Sequence, residues 1–333
     1  MNRRDLLLAL LAIGAVTGPC DVRAQAPRGA RPLRIGLLPD LSTEEHAWFV
    51  GALRELGWAE GRDFVTIPTG SRFGRQFELA AKHMLSERPD LVVTKGTARA
   101  LSVHRLTSTV PIVMFSSGGP VEAGLAQSLA RPGKNVTGNS IYAGAAVFGK
   151  LLELLREAKP GIKRIGVFWG YLPPASPREE IEPAYEVLRQ AARTLGLAIH
   201  IAEVASRDQL SAAMAASDAE RPDALLVTSI PGLFPVWSRI MEFAVKRRLP
   251  TIVDSRWPSE VHPYPLMAYG ASREHLARQT AFYVDRILKG AKPGDLPIQL
   301  PAKFELLVSQ KTAKAIGLVV PQSLLLRADE VIE

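Results

Sequence analysis

The apolar residues of this chain fall in short unbroken runs, not in strict alternation: Leu33 to Leu38, Leu91 to Thr94, Ile112 to Phe115, Ile165 to Trp169, Ala224 to Ser229 and Thr251 to Asp254. Runs of this length, closed by Gly, Pro or Asp, read as strands covered on both faces, the mark of a parallel sheet. Asp63 to Pro68, Ala198 to Val204 and Phe304 to Ser309 read as further strands. Between them apolar positions recur at helical spacing. Ser42 and Glu45 form a capping box ahead of Trp48, Phe49, Leu53 and Leu56. Helices are also predicted over Phe77 to Leu85, from Thr97 as cap, and over Ala184 to Thr194, Gln209 to Ala216, Trp237 to Lys246, Arg273 to Leu288 and Lys311 to Ile316. Strand and helix alternate throughout, which specifies α/β architecture.

The pattern repeats. RIGLL, RPDLVVT and VPIV (from Arg34, Arg88 and Val110) return as RIGVF, RPDALLVT and LPTIV (from Arg164, Arg221 and Leu249), in the same order. The stretch Val110 to Ser140 lies between the copies. It reads as a strand, a turn, a short helix and a second strand, and as the joint between two units. Pro265 to Gly270 reads as a second crossing. Two lobes follow, 33–137 with about 267–300 and 138–266 with about 301–333, joined over several strands in a geometry suited to hinge closure.

Ahead of this lies a different segment. Arg3 and Arg4 precede the apolar run Leu6 to Val16, which is too short to span a bilayer, and Val22-Arg23-Ala24 resembles a cleavage site. Residues 1–24 read as a cleavable secretory signal, Sec or twin-arginine, and 25–32 as a flexible leader. The single cysteine, Cys20, follows Pro19, which disfavours a lipid anchor, and cleavage after Ala24 removes it. The mature chain then has no disulfide and no thiolate chemistry. The expected location is the periplasm.

At 333 residues and 47% hydrophobic, the chain can build two cores. The net charge of +8 admits nucleic acid, but the basic residues are scattered and no basic run is interleaved with aromatics. Enzyme signatures are missing from the sequence. No GxGxxG follows a strand, no GxSxG elbow occurs, and the histidines show no metal spacing, so no cofactor and no metal are expected. Gly144 to Lys150 approaches a P-loop, but Leu151 stands where a hydroxyl should be.

The candidate chemistry lies at the C-terminal ends of the parallel strands, where open α/β sheets take ligands beside helix N-termini. In the first copy these are Asp40, Thr94, Gly96, Thr97, Ser116, Ser117 and Gly118, with Asn139 and Ser140 at the joint. In the second they are Trp169, Tyr171, Ser229 and Asp254. Hydroxyls and amides suit a carboxylate, an aspartate suits an amine, and Trp and Tyr suit stacking.

RPDLVVTKGTARAL, GLAQSLARPGKNVTG and KGAKPGDLP followed by KFELLVSQKTAKAIGL resemble the ABC-transporter substrate-binding proteins of the tryptophan/tyrosine type. The resemblance runs over nearly the whole mature chain. It implies a two-lobed, type I-like periplasmic-binding-protein fold with a multi-strand hinge. It also implies no catalysis and delivery of a small solute to the membrane permease of an ABC transporter; the expected state is a monomer. Two stretches depart from it. Family members often read Gly-Asp-Pro-Val where this chain has Gly118-Gly119-Pro120-Val121, and an Asn-rich turn where it has WGYLPPAS. The alternatives are a secreted α/β hydrolase and a ligand-binding partner of a membrane sensor.

Overall fold

A computed structural model describes residues 31–70, 76–141, 145–170, 178–204, 206, 208–228, 233, 236–255 and 264–333. Its first sheet contains β1 (Leu33–Leu38), β2 (Phe64–Pro68), β3 (Leu91–Lys95), β4 (Ile112–Ser117) and β5 (Val136–Ser140), in the order β2-β1-β3-β4-β5 and parallel throughout. The second contains β6 (Arg164–Gly170), β7 (Ala198–Val204), β8 (Ala224–Val227), β9 (Thr251–Val253), β10 (Met267–Ala271), β11 (Phe304–Ser309) and β12 (Glu330–Ile332). Its order is β12-β11-β10-β9-β8-β6-β7. Strands β6 to β10 therefore retrace the order of β1 to β5, as the repeated motifs require.

Two side-chain devices also recur. Asp90, in the first RPD, accepts the Arg34 amide through its carboxylate at 2.7 Å, and its own amide donates to the Arg34 carbonyl at 2.8 Å. Asp223, in the second, accepts the Lys163 and Arg164 amides at 2.9 Å and donates to the Arg164 carbonyl at 2.8 Å. Each aspartate thus fixes the start of the neighbouring central strand. The glycine two residues into RIG has the same use in both copies. A Cβ on Gly36 would lie 2.4 Å from the Met84 sulfur, and one on Gly166 would lie 2.7 Å from Ser217 Oγ. The absent side chain lets a helix lie close against the strand.

The first sheet is covered on one face by α1 (Thr43–Glu55) and on the other by α2 (Phe77–Ser86) and α3 (Thr97–Leu106). The second is covered by α4 (Ala145–Ala158) and α5 (Arg178–Thr194) on one face, and by α6 (Leu210–Ala219) and α7 (Trp237–Lys246) on the other. Helix α8 (Arg273–Leu288) follows β10 of the second sheet yet packs on the first, where Leu276, Ala277, Ala281, Tyr283 and Val284 join Phe49, Leu53 and Phe115. The mirror case is α4. It follows β5 of the first sheet and buries Leu151, Leu152 and Leu155 in the second. The chain crosses between sheets after β5, after β10 and before β11. It ends in α9 (Gln310–Ile316), α10 (Gln322–Arg327) and β12.

Several expectations are corrected. The stretch Val110 to Ser140 contributes both β4 and β5 to the first sheet, so the first crossing comes after it. No short helix lies within it. Gly119 (φ 53°) and Gly124 (φ 71°) take left-handed conformations, and the amides of Gly124 and Leu125 return to Val121 and Pro120 as turns. Pro265 to Gly270 runs into β10, an interior strand, and the crossing follows it. The second sheet is not wholly parallel, because β11 runs antiparallel to β10.

Candidate functional site

Strands β1, β3 and β4 are adjacent in the first sheet, so the loops at their C-terminal ends converge on one edge. The loops after β3 and β4 are stapled together. The Gly96 amide donates to the Ser116 carbonyl at 2.7 Å. Thr97 Oγ1 accepts from the Gly118 amide at 3.0 Å, donates to the Gly118 carbonyl at 2.7 Å and lies 3.0 Å from Ser117 Oγ. Thr97 is therefore not the cap of α3. The cap is Gly96 (φ 94°), which has no side chain to offer, and the hydroxyl braces the opposite loop instead. Gly96, Thr97, Ser116, Ser117 and Gly118 form one ledge, with the first amides of α3 at its margin. Thr94 lies below it, 1% exposed, with a hydroxyl that has no partner. Asp40 sits at the exit of β1, and its carboxylate accepts the Thr69 amide at 2.6 Å and the Gly70 amide at 3.1 Å.

Beside the ledge is a buried charge cluster. Glu45, 0% exposed, completes the predicted capping box: its amide donates to Ser42 Oγ at 3.2 Å and its carboxylate accepts the Ser42 amide at 3.0 Å. The same carboxylate accepts Lys95 Nζ at 2.6 Å and Arg273 Nε at 3.0 Å. Burial alone would raise the Glu45 pKa. The charges of Lys95 and Arg273, with the Lys95 and Ser42 hydrogen bonds, outweigh it and hold the group at about 2. Burial also pushes the Lys95 ammonium below its ordinary value, against the pull of Glu45. Lys95 ends β3, and Arg273 opens α8 directly after the second crossing, so the cluster ties the C-terminal edge of the first sheet to the start of α8. A further carboxylate, the exposed Glu122, folds back on Gly119, where an added Cβ would lie 3.0 Å from Oε2. The capping-box spacing marked Glu45 in the sequence, whereas nothing local marked its two cationic partners.

At the hinge, Asn139 and Ser140 are buried in the structure and turned inward. The Asn139 amide group donates to the carbonyls of Phe115 and Leu276 at 3.2 and 3.3 Å and to Thr280 Oγ1 at 3.1 Å. The Ser140 amide donates to the Gln299 carbonyl at 2.8 Å. Asn139 thereby locks β5 onto α8. In the second lobe, Trp169 is 5% exposed and lies in the core, edge-on to Tyr185 at 4.9 Å and tilted against Phe148 at 5.9 Å. Its alternation with Ile165 and Val167, both in the same cluster, is the sequence signal that places it there. Asp254 is half-buried at the exit of β9, while Tyr171 and Ser229 lie outside the described residues. Two shallow depressions meet at Gly161: one of about 360 Å³ lies along the end of α4, at Glu153, Arg156 and Glu157, and one of about 440 Å³ includes Lys163 and Asp223, at the N-terminal ends of the second-sheet strands. They lie opposite the edge where parallel sheets take ligands. Among the described residues no group of three or more His, Cys, Asp or Glu is placed to hold a metal ion, and no helix is long and apolar enough to cross a membrane.

Comparison with known proteins agrees with this architecture. A tyrosine-binding protein of Clostridioides difficile is 25% identical over 276 residues, covering 81% of this chain and 75% of the relative. A solved ABC domain from Streptococcus pneumonia, in complex with L-Trp, superposes with a TM-score of 0.70 at 22% identity, covering 90% of this chain and 100% of the other. A conserved domain protein from Vibrio cholerae superposes with a TM-score of 0.76 at 24% identity, covering 91% and 100%. These establish a shared two-lobed fold. The model of the ABC transporter substrate binding protein family matches residues 48–332, and the chain belongs to that family.

Proposed function

We propose that the chain is an extracytoplasmic, non-catalytic receptor. It captures a small amino-acid-like solute between its lobes and delivers it to the permease of an ABC importer. The lobes are residues 33–141 with 272–300 and residues 145–271 with 301–333, acting as a monomer after removal of 1–24. The observation that carries this reading is the family match over residues 48–332, joined to a ledge of amides and hydroxyls at the ligand-binding edge of the first sheet. The ligand class is supported by the tyrosine-binding relative and by the L-Trp complex of the pneumococcal structure.

Capture requires contacts with both lobes at once, since a solute shifts the open–closed equilibrium only by its differential affinity for the two forms. The test is small-angle scattering with and without L-tyrosine and L-tryptophan, combined with titration calorimetry. Binding with a smaller radius of gyration is expected. Binding with no change in dimensions over a broad panel of amino acids and organic acids would sink hinge capture. Chemical turnover of a bound solute would replace the receptor reading with an enzymatic one.

A further inference from the structure

The first lobe holds a guanidinium that no carboxylate among the described residues neutralises. Arg99 stands in the first turn of α3, half-buried. It lies over the Phe77 ring at 4.8 Å and donates to the Lys95 carbonyl at 3.3 Å. No carboxylate among the described residues pairs with it, and burial pushes its pKa below the ordinary arginine value. Two of the acids at this edge are committed elsewhere, and Glu122 folds back on Gly119. Glu45 is held by Lys95 and Arg273, and Asp40 by the Thr69 and Gly70 amides. A cation at this end of a helix also opposes the helix dipole. Arg99 is therefore unfavourably placed, at the edge where the loops after β1, β3 and β4 meet.

Two independent features face the same place. The Gly96 carbonyl takes the Arg99 and Ala100 amides, and the Thr97 and Ala98 amides of the first turn have no acceptor among the described residues. Thr94 is 1% exposed and its hydroxyl has no partner. Strand alternation puts Thr94 on the side of Val92, which packs with Ala100 and Val103 of α3, so its side chain lies beneath the start of that helix. A guanidinium with no paired carboxylate, two open amides and an orphan hydroxyl make a set of donors with no anion among the described residues.

We propose that Arg99, with the first turn of α3 and Thr94, forms the seat for the solute's carboxylate, which restricts the ligand to organic carboxylates. The inference rests on the receptor reading above and deepens it. Arg99 supplies charge, and the α3 amides supply direction. The first lobe thus holds the anionic end, and the rest of the solute is left to the second lobe.

The experiment uses the full chain and the variants Arg99→Met and Arg99→Lys. Calorimetry employs L-tyrosine, its des-amino analogue 3-(4-hydroxyphenyl)propionate, its des-carboxy analogue tyramine, and inorganic phosphate. The wild type is expected to bind at least one of the two carboxylates, and to bind tyramine and phosphate about 100-fold more weakly or not at all. Loss of one charge-assisted contact lowers affinity about 10- to 100-fold, so Arg99→Met is expected to weaken carboxylate binding by that factor, with Arg99→Lys in between. Without solute, Arg99→Met is expected to match or exceed the wild-type melting temperature. Four results would overturn the proposal: carboxylate binding unchanged in Arg99→Met, tyramine or phosphate bound as tightly as the carboxylates, no probe bound by the wild type, or a marked fall in the solute-free melting temperature of Arg99→Met. If the wild type closes on a solute and Arg99→Met does so equally well, the receptor reading survives and the carboxylate seat does not.

Discussion

Glu45→Gln removes one negative charge from a site closed to solvent and leaves its volume unchanged. The glutamine oxygen can still accept the Ser42 amide, so the capping box is largely kept. The counter-charge of Lys95 and Arg273 is lost. A carboxyl moved from 4.5 to about 2 is worth roughly 3 kcal/mol at 1.36 kcal/mol per unit, which sets an upper limit. Lys95 has 36% of its side chain in water and can withdraw into it, which reduces the cost. The expected loss is about 2 kcal/mol, or roughly 3 °C of melting temperature in a chain of this size. The sign with pH is fixed. Because the folded-state value is depressed, the wild-type advantage is complete above 4.5 and disappears as pH falls towards about 2. Thermal melts of wild type and Glu45→Gln from pH 7 to pH 2.5 should converge on acidification. A gap that stays constant over that range would show that the cost comes from packing, and the electrostatic account would fail.

Gly138 (φ 122°) lies so close to β4 that an added Cβ would sit 2.3 Å from the Met114 carbonyl oxygen and 2.5 Å from its nitrogen. Gly138→Ala should destabilise by about 3 kcal/mol or more, read as a fall in urea midpoint, since the obstacle is backbone. Trp169→Phe removes a core ring, so it should cost about 1–3 kcal/mol of stability and leave solute affinity within about twofold, measured by calorimetry; a large loss of affinity would return Trp169 to the binding surface. Asp223→Ala deletes two hydrogen bonds to strand-start amides and should cost about 1–2 kcal/mol, with faster hydrogen exchange at Lys163 and Arg164 as the local signature.

The duplication was legible because its strands are continuous apolar runs and its RPD and RIG motifs carry fixed local tasks. Ser42 and Glu45 could be read as a cap because three residues of spacing determine that interaction. What closes around Glu45 could not, since Arg273 is 228 positions away. The ledge residues from Gly96 to Gly118 were found through the rule that ligands gather at the C-terminal ends of parallel strands. That rule locates an edge without orienting side chains. It therefore collected Trp169, which alternation turns into the core, and Asn139, which the arrival of α8 turns inward. Arg99 escaped notice because an arginine in a first helical turn looks like ordinary surface until its acidic neighbours are accounted for.

The exchanged positions of α4 and α8 bear on how the protein is made. As the chain leaves the ribosome, the first sheet emerges with one face lacking its second helix, and the missing helix arrives only after all of residues 145–271. The amino-terminal half must wait, with Phe49, Leu53 and Phe115 short of their cover, for a segment synthesised far downstream. A fragment ending at residue 141 should expose that apolar face and require a chaperone or its own covering helix, supplied in trans, to remain in solution.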